Sequence, residues 1–417
     1  MGPVAEARRD PVGAAFIAGL TLAQVGAYMS FIPLLQILVP LKAAEIDPAH
    51  KAITLAQVSL MGAVVAGLAN LVAGAVSDRT TSRFGRRRPW LLIGAAGTLG
   101  GYFAIRMASN LAGLMSGLIF FQIAFNFLFA ALLALVVDRV PGRQRGLVSA
   151  LLGLGLPLGS VGGAVLIGGV ISGETLRFLV LGAIVVLTVA PFAVVLRDRP
   201  IDAEHRPRGR LSMLSATFWV DPRRHPDFAC AWAGRFLVLI GVSLIQSYML
   251  YYLAEGIGYA RLYPGARPEQ GLAVLTAIAA AFQVAFALAG GLLSDRLRRR
   301  KPFVMAGALI LSGAMAGVAL FPTFAALTIA YAVFGLGAGV YFAVDIALVT
   351  EVLPSAADAG KDLGIINLSN TTPQVLAPMI AVMVLGVGHA DFRTLFLLAA
   401  ACSAAGAVMV LPIRAVR

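Results

Sequence analysis

Apolar residues in this sequence come in runs of about twenty or more, broken by short stretches rich in Arg, Gly and Pro. A run of that length crosses the ~30 Å hydrocarbon core of a bilayer as a helix, which satisfies every backbone N–H and C=O within the segment. A closed β-barrel would instead alternate apolar and polar residues over segments of about ten. Of the 417 residues, 59% are hydrophobic and 13% charged, whereas a soluble domain is nearer a quarter charged. The pattern predicts an all-α polytopic membrane protein.

Twelve spans are expected, near 13–39, 54–76, 90–108, 111–137, 146–171, 176–196, 227–253, 270–293, 303–320, 324–349, 363–387 and 393–412. The first run is too long for a signal-peptide core and counts as a span. An even number puts both termini on one side. With the termini inside, the tails and inner breaks hold twenty-five of the thirty-three Lys and Arg, the outer breaks seven, and Arg235 lies within span seven. Lys and Arg concentrate in cytoplasmic loops, so both termini are expected in the cytoplasm, in a plasma (inner) membrane. The net charge of +13 is thereby explained without nucleic acid, which is not expected as a partner. Cys230 and Cys402 fall inside apolar runs and read as small buried hydrophobes.

Between spans two and three lies Gly74–Trp90, GAVSDRTTSRFGRRRPW, with five arginines and Asp78 in one tight loop. A shorter echo stands at Gly290–Phe303, GGLLSDRLRRRKPF. Pro89 and Pro302 are 213 residues apart, as are Pro141 and Pro354, and Asp138 and Glu351. The segments FAALLALVVDRVP (129–141) and FAVDIALVTEVLP (342–354) match around the last two. An offset shared by separate landmarks marks an internal duplication, the architecture of many secondary transporters. The expected domains are an N-terminal six-helix bundle (1–196), a cytoplasmic linker (197–226) and a C-terminal six-helix bundle (227–417). Within the linker, Leu211–Val220 is a candidate surface helix with Trp219 at the interface.

These residues resemble the major facilitator superfamily. The form SDRTTSRFGRRRPW, with DRVPGRQRG (138–146) and GKDLGIINLSNTTPQVLAP (360–378), is more narrowly similar to the glycoside–pentoside–hexuronide:cation symporters and their sucrose-transporter-like branch. The resemblance implies twelve transmembrane helices in two pseudo-symmetric six-helix bundles, the major facilitator fold. It also implies uptake of a sugar or glycoside by alternating access. Sodium-coupled melibiose permeases carry two acidic residues, four apart, before this loop. Ala66 and Asn70 stand there in this chain, which favours a proton over sodium as coupling ion.

By the same resemblance, Asp78 faces the start of span eleven near 360–364, and Asp295 faces the start of span five near Arg145 and Gly146. Such carboxylates suit the exposed N–H groups of a helix start. Arg83 and Arg87 are placed to pair with Asp138, and Arg300 or Lys301 with Glu351. Arg79, Gly85 and Arg296 complete the cluster, which would act as a two-state conformational latch. The bland alternative is that the arginines only hold the loop in the cytoplasm.

Polar residues within spans are costly and usually functional. Here they are Gln24, Tyr28, Asn70, Gln122, Asn126, Arg235, Gln246, Gln283, Asp345, Asn367, Asn370 and Gln374. They are candidates for binding substrate or coupling ion, against a reading as hydrogen bonds between helices. Asp345 is the acidic residue set well inside a span, six before Glu351 and so about 9 Å deeper. Burial penalises a carboxylate unless a cation compensates, and Arg235 on neighbouring span seven is that cation. Asp345 is therefore expected either to carry the coupling proton or to pair with Arg235 in the substrate site. The runs GLGLPLGSVGG (153–163) and GLGAG (336–340) lie in apolar spans without a preceding strand, and read as helix packing rather than nucleotide loops. All four histidines stand outside the spans. No catalytic set, metal spacing or cofactor motif is visible, so an enzyme is not expected. The expected activity is secondary transport by a monomer acting on a small molecule. The alternatives are efflux of a metabolite or drug, and a non-transporting sensor or scaffold.

Overall fold

The computed structural model describes residues 11–196, 198, 223–297, 299–352, 359–385 and 391–414. Among these residues all regular structure is helical. In chain order the long helices are α1 (Ala14–Ile46), α2 (Lys51–Arg79), α3 (Arg88–Met107), α4 (Leu111–Arg139), α5 (142–170), α6 (Glu174–Val195), α7 (Pro226–Gly256), α8 (Pro268–Leu297), α9 (Lys301–Leu320), α10 (Phe324–Glu351), α11 (Ala359–Leu385) and α12 (Phe392–Met409), with a single short turn of helix at Tyr259–Leu262. Most of the expected linker, with its candidate surface helix, lies outside the described residues.

Ten of these are long and apolar enough to cross a bilayer. In α3, glycines and the arginines at both ends dilute the apolar run. In α11, the apolar part is Thr372–Leu385, because Asn367, Asn370 and Thr371 precede it. Both still pack as their neighbours do, α3 on α4 and α6, α11 on α7 and α12. Large side chains such as Phe103, Leu187 and Met383 point outward at 69%, 71% and 80% exposure. So much apolar surface on the outside belongs in lipid rather than in water.

Local chemistry sets the helix ends. Asn110 accepts from the Gly113 N–H at 2.8 Å and caps α4; Thr323 does the same for Ala326 at 3.2 Å and caps α10. Pro89 and Pro302 sit in the first turns of α3 and α9, where a missing N–H costs nothing. The π-helical turn Leu34–Leu38 in α1 lies between Pro33 and Pro40, two residues that cannot donate to the i→i−4 ladder.

The helices gather into two compact units: Met1–Pro48 with Met61–Arg208, and Ala49–Leu60 with Gly209–Arg417. The division follows packing rather than chain order. Within the second unit, Lys51 at the start of α2 is ion-paired with Glu255. Its ammonium lies 5.5 Å from the centre of the Tyr251 ring.

Each unit repeats one pairing scheme. In the first, α1 packs on α5 and α6, and α3 on α4 and α6; in the second, α7 packs on α11 and α12, and α9 on α10 and α12. The repeat extends to single positions. A Cβ on Gly94 would stand 2.7 Å from the backbone N of Leu128, and one on Gly307 would stand 2.8 Å from that of Tyr341. Both glycine and neighbour shift by 213 residues between the units. Only glycine lets the backbones approach so closely.

Candidate functional site

The loop between α2 and α3 turns on Gly85, whose φ of +100° lies in the left-handed region. A Cβ there would also stand 2.4 Å from the Cβ of Asp198. The turn delivers the backbone N–H of Arg87 and Arg88 to the Asp198 carboxylate, the latter at 3.1 Å. Asp198 thus seals the N-terminus of α3 with a negative charge, where the helix dipole favours one. It also lies 3.7 Å from Nη2 of Arg139.

With its backbone held, Arg87 points its side chain into the unit, where it is 3% exposed. Its Nε donates to Asp138 Oδ2 at 2.7 Å, Nη2 to Asp78 Oδ1 at 2.6 Å and Nη1 to Ser77 Oγ at 2.6 Å. Arg86 Nη2 adds a second donor to Asp78 Oδ1 at 2.5 Å. One guanidinium fork therefore ties the end of α2 to the end of α4 through bonds of the strong, charge-assisted kind. Burial alone would weaken the charge on Arg87, but its bonds and attraction to Asp138 and Asp78 hold its proton more firmly than in a free arginine. The Trp90 indole N–H donates to Thr80 Oγ1 at 2.7 Å and closes the loop.

The second unit rebuilds the central link at the same offset. Arg300 Nε stands 2.5 Å from Glu351 Oε1, and its Nη2 3.8 Å from Asp295 Oδ1. Of the two expected partners of Glu351, Arg300 makes the contact. Lys301 instead donates to the carbonyl oxygens of Leu411 and Ile413, at 2.5 and 2.9 Å. This version is wetter: Arg300 is 27% exposed and Glu351 43%.

Several expected members of the cluster stand elsewhere. Arg83, expected on Asp138, is exposed and lies over the ring of its neighbour Phe84 at 4.8 Å. Arg86 joins Arg87 instead, with Nη1 3.9 Å from Asp138 Oδ1. Arg79 and Arg296 are exposed. The side chains of Arg145 and of residues 360–364 lie outside the described ones. Ser77, Arg86 and Asp198 belong to the cluster although the sequence did not single them out. The repeated Ser-Asp-Arg was a signal for Ser77, since its counterpart Ser294 is also buried and bonds Arg299 O at 3.2 Å.

Deeper in the second unit, Arg235 of α7 and Asp345 of α10 are in direct ion-pair contact. Their side chains are only 9% and 2% exposed. A buried pair of this kind recovers its desolvation cost only while both partners remain charged and in contact. Tyr341, fully enclosed, stands one turn earlier on α10.

In the first unit, three amides form a chain. Asn70 Nδ2 donates to Asn126 Oδ1 at 3.3 Å, and Asn126 Nδ2 donates to Gln122 O at 2.8 Å and Gln122 Oε1 at 3.4 Å. Gln24 is buried, and Tyr28 packs edge-on against Phe129 at 5.2 Å. Gln246 and Gln374 are exposed and Gln283 is half-buried. The side chains of Asn367 and Asn370 lie outside the described residues. The glycine runs serve packing: a Cβ on Gly159 would stand 2.9 Å from the backbone N of Met29, and one on Gly339 2.5 Å from Gln283 O.

The Major Facilitator Superfamily profile matches residues 14–267 and 265–417, the whole membrane part of the chain. Among curated proteins, none matches the sequence. Solved structures share the fold at low identity. A nucleoside transporter, NupG, superposes with a TM-score of 0.73 at 13% identity, over 95% of this chain and 98% of its own. A peptide transporter, POT, solved in complex with sulfate, gives 0.75 at 14%, over 98% and 96%. A bacterial homolog of the human lysosomal transporter Spinster, inward-facing and unoccupied, gives 0.64 at 15%, over 96% and 95%. A duplicated twelve-helix scaffold, a matching arginine link in each half and a profile that spans both halves agree: the chain belongs to the Major Facilitator Superfamily and is an integral membrane transporter, not an enzyme.

Proposed function

We propose that the protein takes up a sugar or glycoside together with protons, by alternating access, as a monomer in the plasma (inner) membrane with both termini in the cytoplasm. The observation that carries this reading is the buried Arg235–Asp345 pair. A carboxylate this deep keeps its charge only while Arg235 neutralises it. Protonating Asp345 would release Arg235 to hydrogen-bond a ligand, and loss of the proton would restore the pair. Such a two-state element links proton occupancy to substrate occupancy.

The amides Gln122, Asn126 and Asn70 offer donors and acceptors suited to hydroxyl groups. Ala66 and Asn70 in place of an acidic pair disfavour sodium. The resemblance of SDRTTSRFGRRRPW to the sucrose-transporter-like branch points to glycosides. The Arg87 link fastens α2 to α4 within the first bundle, and the cluster around it is the candidate two-state conformational latch.

The test is proton movement in proteoliposomes. Adding a disaccharide outside should make the external medium more alkaline in the wild type, and Asp345→Asn should abolish the change. Proton release driven by hydrophobic drugs instead would identify efflux. Absence of any solute-driven proton movement across a panel of sugars and drugs would rule out proton-coupled transport of these solutes.

A further inference from the structure

α2 is shared between the units: residues 51–60 pack with the second and 61–79 with the first. Its junction with the second unit lies at the end away from the basic loop, and it is polar. Lys51, in the first turn of α2, is ion-paired with Glu255, in the last turn of α7. The Lys51 ammonium also stands 5.5 Å from the centre of the Tyr251 ring, and the Tyr251 hydroxyl donates to Lys51 O at 3.4 Å. The Lys51 and Glu255 side chains are 23% and 42% exposed, so water screens the pair and each contact is weak.

Glu255 reaches Lys51 from an irregular turn. Tyr252–Gly256 is π-helical, closed by the Ile257 N–H, which donates to Tyr252 O at 2.8 Å. Closing on the fifth residue instead of the fourth holds one extra residue in the turn. Tightening it to an α-helix would turn the following side chains by about 100°. The start of the turn is pinned. The Tyr252 hydroxyl donates to Val318 O at 3.1 Å, and its ring packs on Phe396 and Phe392 at 5.1 and 5.6 Å. Tightening therefore moves Glu255 rather than Tyr252. One turn before Tyr251 stands Tyr248, 1% exposed, whose hydroxyl has no hydrogen-bond partner among the described residues. An orphaned buried hydroxyl is costly, and it regains water if the junction parts. Weak contacts thus hold the junction closed while the orphan opposes them, the balance of a two-state element.

We propose that Lys51, Tyr251 and the π-turn bearing Glu255 form a second latch, at the end of α2 opposite the basic loop, which breaks in each transport cycle. A movement that carries α2 with the first unit parts Lys51 from Glu255, and tightening of the π-turn turns Glu255 away. Parting lets water reach the Tyr248 hydroxyl. The proposal rests on alternating access, since only a protein that changes state needs this contact to break.

The experiment measures how often the junction opens, in the full-length protein in lipid nanodiscs. Cys230→Ser and Cys402→Ser remove the native thiols. Leu55→Cys then places a single thiol one turn after Lys51, at a position only 2% exposed. The readout is its rate of reaction with a water-soluble maleimide. Lys51→Met and Glu255→Gln should each raise that rate about two- to fivefold, the share of a half-exposed ion pair. The swap of Lys51→Glu with Glu255→Lys should restore it. Tyr248→Phe should lower it about fivefold or more, because it removes the orphaned hydroxyl. Opposite effects from the two sides of the balance are not expected of a merely structural contact. Equal rates in the parent and Glu255→Gln, or a rate that Tyr248→Phe leaves unchanged or raises, overturns the proposal. Should Lys51→Met fail to fold, Glu255→Gln decides alone. Labelling needs no substrate, so the two readings fail separately. The stated rate changes without sugar-driven proton movement leave the latch and remove the coupling; sugar accumulation with unchanged rates does the reverse.

Discussion

Arg87 and Arg300 are the same residue of the repeat in different surroundings, and neutralising each should separate them. Arg87→Gln removes the cation from three short side-chain contacts, to Asp138, Asp78 and Ser77. Each charge-assisted bond contributes about 1.5–3 kcal/mol. Their sum overstates the loss, because Asp78 is 47% exposed and regains water when freed. Asp138, 25% exposed, regains less. Removing one partner from a largely buried network costs about 3–5 kcal/mol. Arg300 and Glu351 form a largely solvated pair, for which about 0.5–1 kcal/mol is expected. In a unit of some two hundred residues each kcal/mol moves the unfolding midpoint by about 2–4 °C. Arg87→Gln should therefore lower Tm by about 6–20 °C and Arg300→Gln by about 1–4 °C. Arg87→Lys, which keeps charge but loses the fork, should fall between. The assay is thermal unfolding of the purified proteins in one detergent. Equal shifts for Arg87→Gln and Arg300→Gln, or a larger one for Arg300→Gln, would refute the argument from burial.

Three further outcomes are expected. Gly85→Ala combines a left-handed backbone with a clash against Asp198 and should cost about 1–3 kcal/mol, measured by the same thermal unfolding. Asp345→Asn should abolish concentrative uptake in proteoliposomes while leaving substrate counterflow; uphill accumulation at wild-type pH dependence would remove the coupling role from Asp345. A reporter active only in the cytoplasm should work when fused after Arg417 or inserted near Arg208 and fail when inserted at Arg267, and activity at Arg267 would reverse the proposed orientation.

The helices and their duplication were legible because both rest on one-dimensional signals, apolar length and a constant offset. The Arg87–Asp138 and Arg300–Glu351 links followed from the resemblance, as two of the pairings it left open. The choice among five neighbouring arginines did not. It depends on Gly85, which turns the chain left-handed so that Arg86 and Arg87 face inward while Arg83 stays out over Phe84. Asp198 was hidden for another reason. It lies 111 residues from Arg87, in a polar break whose other acidic and basic residues look no different. Lys42 and Arg177 show the limit of counting charges by loop. Both count among the seven Lys and Arg of the outer breaks, yet both are buried. Their stems lie at helix ends that pack on a neighbouring helix, and a one-dimensional count carries no information about that neighbour.

The two halves also solve one packing problem differently. Shifting Gln122 and Asn126 of α4 by 213 residues gives Gly335 and Gly339 of α10. In the first unit the interface with α2 is held by amides, Asn70 to Asn126 to Gln122. In the second, the glycines let α10 settle against the α8 backbone, where a Cβ on Gly335 would stand 2.0 Å from Ala279 O. Polar bridges and small residues are the two established means of joining helices in lipid. They differ in what they leave available, since an amide retains hydrogen-bonding capacity toward a ligand and a glycine does not. The same shift turns buried Leu132 of α4 into Asp345 of α10. One half therefore carries neutral hydrogen-bonding groups on its fourth helix, and the other carries the ionisable group on its corresponding helix. Duplication accounts for the shared scaffold and the paired arginine links. Divergence at these three aligned positions divides the polar chemistry, placing candidate ligand-binding groups in one half and the candidate proton-coupling group in the other.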